Sequence, residues 1–108
     1  MKIYITENAE NNLWQIYRYH VDYSHNFADE FQHKITTFIF ENLAKYPEMG
    51  TLFNEEKSLY RLVYEGRYNI YYVAQDDALY IVYILDGRLQ LNADIAESDT
   101  PLCDARNS

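Results

Sequence analysis

Cysteine is nearly absent from this chain of 108 residues. Cys103 stands alone, so no internal disulfide can staple the fold, a usage that fits a reducing compartment. Long apolar runs are missing too. The longest, Ala78 to Leu85, has eight residues, whereas a helix needs about 20 to cross a bilayer. The opening MKIYITENAENN lacks the apolar core of a secretory signal. A soluble, cytoplasmic protein with no membrane association is expected. Positive charge is scarce: nine Lys and Arg stand against 17 Asp and Glu, for a net charge of -8. That balance disfavours non-specific binding to nucleic acid, which depends on neutralising phosphates. Histidine is limited to His20, His25 and His33. Their spacing and the lack of a cysteine cluster assemble no metal-ligand set. No metal or other cofactor is expected, and the histidines read as solvated or helix-cap residues.

What the chain does have is tyrosine, 12 residues of it, within a hydrophobic fraction of 48%. Tyrosine buries a ring while keeping a polar tip, which suits half-buried sheets and interfaces. The length fits one domain with a modest core. Lys2 to Ile5 alternates as a short strand. Thr6 can cap a helix over Glu7 to about Tyr23, with Glu7 and Glu10 near its positive end. Its apolar stripe runs through Ala9, Leu13, Ile16, Tyr17 and Val21. Ser24-His25-Asn26 offers a second cap. Ala28, Phe31, Ile35, Phe38, Ile39 and Leu43 continue a helix that must stop before Pro47. A loop from Pro47 to Ser58 follows, then strands over Leu59–Tyr64, Arg67–Ala74 and Ala78–Leu85. Glu65-Gly66 and Gln75-Asp76-Asp77 are the turns. The order β-α-α-β-β-β predicts an α+β domain over residues 1–90, an antiparallel sheet covered on one face by a helical hairpin. Residues 91–108 read as an acidic, flexible tail, with a helical turn within Leu91 to Glu97.

Alternation assigns Tyr60, Leu62, Tyr64, Tyr68, Ile70 and Tyr72 to one face of the sheet. Leu59, Arg61, Val63, Arg67, Asn69, Tyr71 and Val73 fall on the other. On the last strand, Tyr80, Val82 and Ile84 oppose Leu79, Ile81, Tyr83 and Leu85, so both faces are apolar. Two helices cover only one. The other face would present aromatic and β-branched side chains rimmed by Arg61, Arg67 and Asn69, the look of a partner site. The alternative is that the tail folds back over it. Charge is segregated: from Lys57 to Val73, Lys57, Arg61 and Arg67 stand against Glu65 alone, while after Leu89 the acids Asp94, Glu97, Asp99 and Asp104 face only Arg106. Trp14, beside the first helical stripe, reads equally as core edge or interface anchor.

The organisation and the wording of this region resemble the RelE/ParE superfamily of type II toxin–antitoxin toxins. The resemblance rests on Arg61-Leu62-Val63-Tyr64, Gly66-Arg67-Tyr68, Ile70, Tyr72, the acidic turn Asp76-Asp77 and the closing Leu85-Asp86-Gly87-Arg88. The helical hairpin ending at Tyr46-Pro47, followed by Gly50, adds to it. It covers about residues 1–90. It implies a toxin neutralised by a small antitoxin, acting either as a RelE-like ribosome-dependent messenger-RNA endonuclease or as a ParE-like inhibitor of DNA gyrase. RelE-like enzymes carry an arginine after the third-strand tyrosine; here that position is Asn69. They often carry His or Lys near the end of the last strand; here Asp86 stands there, and no tyrosine follows Tyr83. Only Arg88 matches. With so little of an acid–base and cationic constellation retained, the ParE-like reading is favoured, with no catalytic residue assigned. It matches arginines at Arg61, Arg67 and Arg88, although His is common where Asp86 stands. A non-toxic relative that only binds antitoxin is the third reading. The expected partner-binding residues are Arg61, Val63, Arg67, Asn69, Tyr71, Arg88 and Trp14. The arginines would serve either an acidic partner, through their forked donors, or exposed pairs with Glu65, Asp86 or tail carboxylates. The expected partners are an antitoxin, in a hetero-oligomer, and DNA gyrase.

Overall fold

The computed structural model describes residues 2–87. Arg88 and the acidic tail, with the expectations placed on them, lie outside the described residues. The chain begins with β1 (Lys2–Ile5) and α1 (Glu7–Val21), then α2 (His25–Thr37). A π-helical turn (Phe38–Leu43) and a 3-10 turn (Pro47–Met49) lead to β2 (Thr51–Asn54). β3 (Leu59–Tyr64), β4 (Tyr68–Gln75) and β5 (Ala78–Asp86) complete it. The sheet order is β1-β5-β4-β3-β2, with β1 parallel to β5 and the other pairs antiparallel. The α+β class and the helical hairpin on one face are as the sequence predicts. The sheet is mixed rather than purely antiparallel, and the expected loop after Pro47 contributes the edge strand β2.

Thr6 joins strand to helix. Its N–H and its hydroxyl both donate to the Ile81 carbonyl, at 3.0 and 2.8 Å, while Oγ1 accepts from the Ala9 N–H at 3.2 Å. One side chain therefore caps α1 and satisfies the strand β1 abandons. Ser24 does the same for α2 through the Phe27 N–H, at 3.2 Å. After Thr37 the helix widens. Ile35, Ile39 and Leu43 repeat every four residues, a spacing that drifts off the face of an α-helix, and the wider turn keeps all three fully buried.

Both hairpins are tight. Glu65 (φ 53°) and Gly66 (φ 66°), then Asp76 (φ 52°) and Asp77 (φ 63°), are left-handed pairs, the geometry whose twist matches paired strands. Arg67 belongs to the first turn rather than to the strand. β5 carries a bulge. Tyr71 pairs with Tyr83 but Tyr72 with Ile81, leaving Val82 as an extra residue. This corrects the simple alternation. Ile84 joins Leu79 and Ile81 under the helices, while Val82, Tyr83 and Leu85 turn to the second face.

The main core lies between helices and sheet: Ala9, Leu13, Phe31, Ile35, Ile39 and Leu43 against Tyr64, Tyr68, Ile70, Tyr72, Leu79, Ile81 and Ile84. A second cluster sits on the other face. Leu59, Tyr71, Val73 and Val82 are buried there, with Phe53, Tyr83 and Leu85 around them. None of the described helices is long and apolar enough to cross a membrane.

Candidate partner-binding surface

β3 presents Arg61 and Val63 on the second face. Arg61 pairs across the sheet with Tyr71 on one side and Thr51 on the other. Its guanidinium lies 5.5 Å from the centre of the Phe53 ring, a cation–π contact that orients it along the face. The β2 ladder stops at Thr51, so Val63 lies beyond it and is 54% exposed. Val63 faces Asn69 across the β3–β4 ladder, and Asn69 faces Leu85 on β5. Val63, Gly66, Arg67, Asn69, Asp86 and Gly87 line one open depression at this end of the sheet. Gly87 folds against the turn, its N–H donating to the Arg67 carbonyl. A Cβ at Gly87 would stand 2.8 Å from that oxygen, so the approach requires glycine.

Tyr71 is a core residue, 1% exposed. It packs edge-to-face on Phe53 and Tyr83, at 5.2 and 6.2 Å between ring centres. The apolar middle of this face is thus not laid open to water as alternation alone suggests; its exposed part is the rim of Val63, Asn69 and Arg61. Arg67 has swung away from Arg61. Its guanidinium lies 5.4 Å from the Tyr68 ring, and its charge is felt at His20 on α1. Neither arginine has a carboxylate partner among the described residues; each makes its cation–π contact instead. Trp14 belongs to another surface. It is 59% exposed on α1 and stacks on Tyr17 at 5.9 Å. The Tyr17 hydroxyl donates to Asp29 Oδ1 at 2.7 Å and ties α1 to α2. The structure therefore gathers Arg61, Val63, Asn69 and the backbone of Arg67 on one side of the sheet, buries Tyr71 beneath them and places Trp14 on the helical layer.

His20 is the residue the sequence reading misplaced. It is 3% exposed, not solvated. Its Nε2 lies 2.9 Å from the Tyr68 hydroxyl, and Phe27 and Phe31 pack on its ring at 4.8 and 5.0 Å. Burial, and secondarily the charge of Arg67, hold the imidazole below its ordinary pKa. The signal was present: Ala9, Leu13, Ile16 and His20 are spaced by four, three and four. Beside this pair, a cleft of about 170 Å³ opens between α1 and β5, lined by Asn12, Ile16, Tyr19, Tyr68, Ile84 and Asp86 among others. Asn12 Oδ1 accepts from the Ile84 N–H at 3.0 Å, covering a strand edge that β1 has left. Among the described residues no three metal-ligating side chains converge.

No protein-family model matches the chain, and no curated protein matches it in sequence. Solved structures do. A chain described as "Chromosomal ParDE TA system from P. aeruginosa" superposes with a TM-score of 0.65 at 18% identity, covering 80% of this chain and 95% of that one. The two chains therefore share a fold, the α+β fold that the resemblance around Arg61 and Gly66 implies.

Proposed function

We propose that this chain is the toxin half of a type II toxin–antitoxin pair, that it is ParE-like, and that it inhibits DNA gyrase by binding rather than by chemistry of its own. A cognate antitoxin neutralises it in a hetero-oligomer. The single observation that carries the reading is the shared fold with a chain of a ParDE toxin–antitoxin system over most of both chains. The residues support binding over catalysis. Asn69 stands between Val63 and Leu85 in the ladder and supplies neither positive charge nor a proton. Asp86, at the end of β5, is an acid where RNA cleavage would call for a cation. Arg61 and Val63, on a rigid strand, are suited to an acidic, partly apolar partner. The reading places the protein in the cytoplasm, acting without a cofactor and without touching nucleic acid directly.

The test is induction of the chain alone in bacteria, with pulse-labelling of new DNA and new protein over the first minutes. DNA synthesis should fall first, and purified gyrase should lose supercoiling activity when the chain is added. A prior fall in protein synthesis, with cuts in ribosome-bound messenger RNA, would replace this reading with the endonuclease one. No fall in either would leave an antitoxin-binding relative without toxicity.

A further inference from the structure

His20, Tyr68 and Arg67 form a line from the buried end of α1 to the β3–β4 turn. His20 is 3% exposed, with its Nε2 2.9 Å from the Tyr68 hydroxyl. The Tyr68 ring meets the imidazole edge-on at 6.2 Å between centres and carries the Arg67 guanidinium at 5.4 Å from its own centre. One ring therefore serves a titratable group inside the fold and a permanent cation at its surface. The other neighbours of His20 do not balance that cation. On α1, Tyr19 packs on the imidazole at 5.5 Å and bonds to Tyr23, which feels Asp22. On α2, the contacts are Phe27 and Phe31, which cannot titrate, and behind Phe31 stands Tyr64 with Glu65. On β5, Asp86 lines the neighbouring cleft with Tyr19 and Tyr68. The charge felt at His20 is that of Arg67, and no carboxylate among the described residues offsets it there.

A proton on His20 sets a second positive charge behind the ring. Both nitrogens then donate, so the Tyr68 oxygen must accept. Like charges repel weakly through water and more strongly where burial keeps water out. One of the two must yield. His20 is wedged between Phe27, Phe31 and Tyr68, and its departure would open the core. Arg67 is exposed and rests on Tyr68 through a cation–π contact, a weak restraint at a surface. It also borders the open depression of Val63, Asn69 and Gly87, so a released guanidinium has room on that side. We propose that His20 is a proton-operated latch on the β3–β4 turn: uncharged, it leaves Tyr68 as a platform for Arg67; charged, it drives the Arg67 guanidinium off that ring towards Val63 and Asn69. The latch belongs to the fold and holds whatever the target. Its consequence for binding rests on the proposed partner role: in acid, the face that carries Arg61 gains a second cation, and an acidic partner binds it more tightly.

The test needs the chain alone. NMR follows it from about pH 8 to about pH 4, on both sides of the ordinary imidazole value of about 6.5, with the His20 ring signal reporting its charge. As His20 titrates, the nuclear Overhauser contacts between the Arg67 side chain and the Tyr68 ring should fall severalfold. The amides of Val63, Asn69 and Gly87 should shift with the same midpoint. In His20→Gln those changes should vanish. In Arg67→Gln, at an exposed site outside the core, the His20 midpoint should move up, because the charge opposing its proton is gone. Arg67–Tyr68 contacts that persist through the titration, amide shifts that survive His20→Gln, or a His20 midpoint indifferent to Arg67→Gln would each overturn the latch. So would a chain that unfolds as a whole before His20 titrates, since no folded acid form would exist for it to act in.

Discussion

The two faces of the sheet are built from the same alternating strands and end in different states. Under the helices, apolar side chains from α1, α2 and four strands interlock, and the hydroxyls and imidazole caught among the strands are matched, while Gln32 Oε1 on α2 is buried without a hydrogen bond. Tyr72 is the model case: its hydroxyl donates to the Pro47 carbonyl at 2.6 Å and accepts from the Gly50 N–H at 2.9 Å. His20 meets the Tyr68 hydroxyl in the same way. On the second face, four buried side chains are edged by half-exposed rings, and the polar groups, Arg61 and Asn69, lie outward. One face is organised for permanence by its own helices. The other has a smaller buried cluster and carries the exposed Val63 and the Arg61 guanidinium at its rim. An apolar strand surface is thus not in itself core or interface; what lies over it decides.

That contrast can be broken from the helical side first. Ile35→Ala removes a fully buried side chain from between α2 and the sheet and should cost about 2–5 kcal/mol, read as a lower midpoint in chemical denaturation with both faces unfolding together. Gly50→Ala should come next, at about 1–3 kcal/mol. A Cβ there would stand 2.6 Å from the Tyr72 hydroxyl and 2.9 Å from the Arg61 carbonyl. It would push the loop off β3 and lower the melting temperature, and crystallography or exchange at the Gly50 amide would show the lost bond.

A pH series separates the faces further. The folded state holds His20 below its ordinary pKa, so near the free value of about 6.5 the unfolded chain binds the proton and the folded chain does not. Stability is therefore full above that value, declines as pH falls through it and levels off below the folded pKa. His20→Gln should flatten that decline, and equal slopes in both proteins would assign the titration elsewhere. The smallest stability effect belongs to the second face. Arg61→Ala should change stability by no more than about 1 kcal/mol, yet weaken antitoxin affinity in a calorimetric titration. Unaltered affinity would remove Arg61 from the partner surface.

Much of this was legible before the structure. Thr6 and Ser24 are short polar residues ahead of periodic stretches, and both cap their helices. Glu65-Gly66 between two β-branched runs is a tight hairpin. Arg61, Val63 and Asn69 were placed on one face by parity alone, and they share it. Parity failed at Val82, because a bulge adds a residue without leaving a mark in the composition, and every assignment after it moved to the other face. Thr51–Asn54 reads as loop because four residues between Gly50 and a charged turn hold no periodicity; pairing with β3 makes them a strand. His20 is polar, yet its spacing from Leu13 and Ile16 sets it on the apolar stripe of α1, and it is buried.

The sequence by itself determined the local elements: caps, hairpins, helical stripes and the alternation of the strands. These follow from backbone sterics and side-chain period, which act over a few residues. Which apolar face became core, that Tyr71 is buried while Val63 is not, that Arg67 turns to Tyr68 rather than joining Arg61, and that β1 lies parallel to β5, were decided only by the tertiary structure. They depend on contacts between residues such as Thr6 and Ile81, 75 positions apart, and no local pattern encodes which distant surface a side chain will meet.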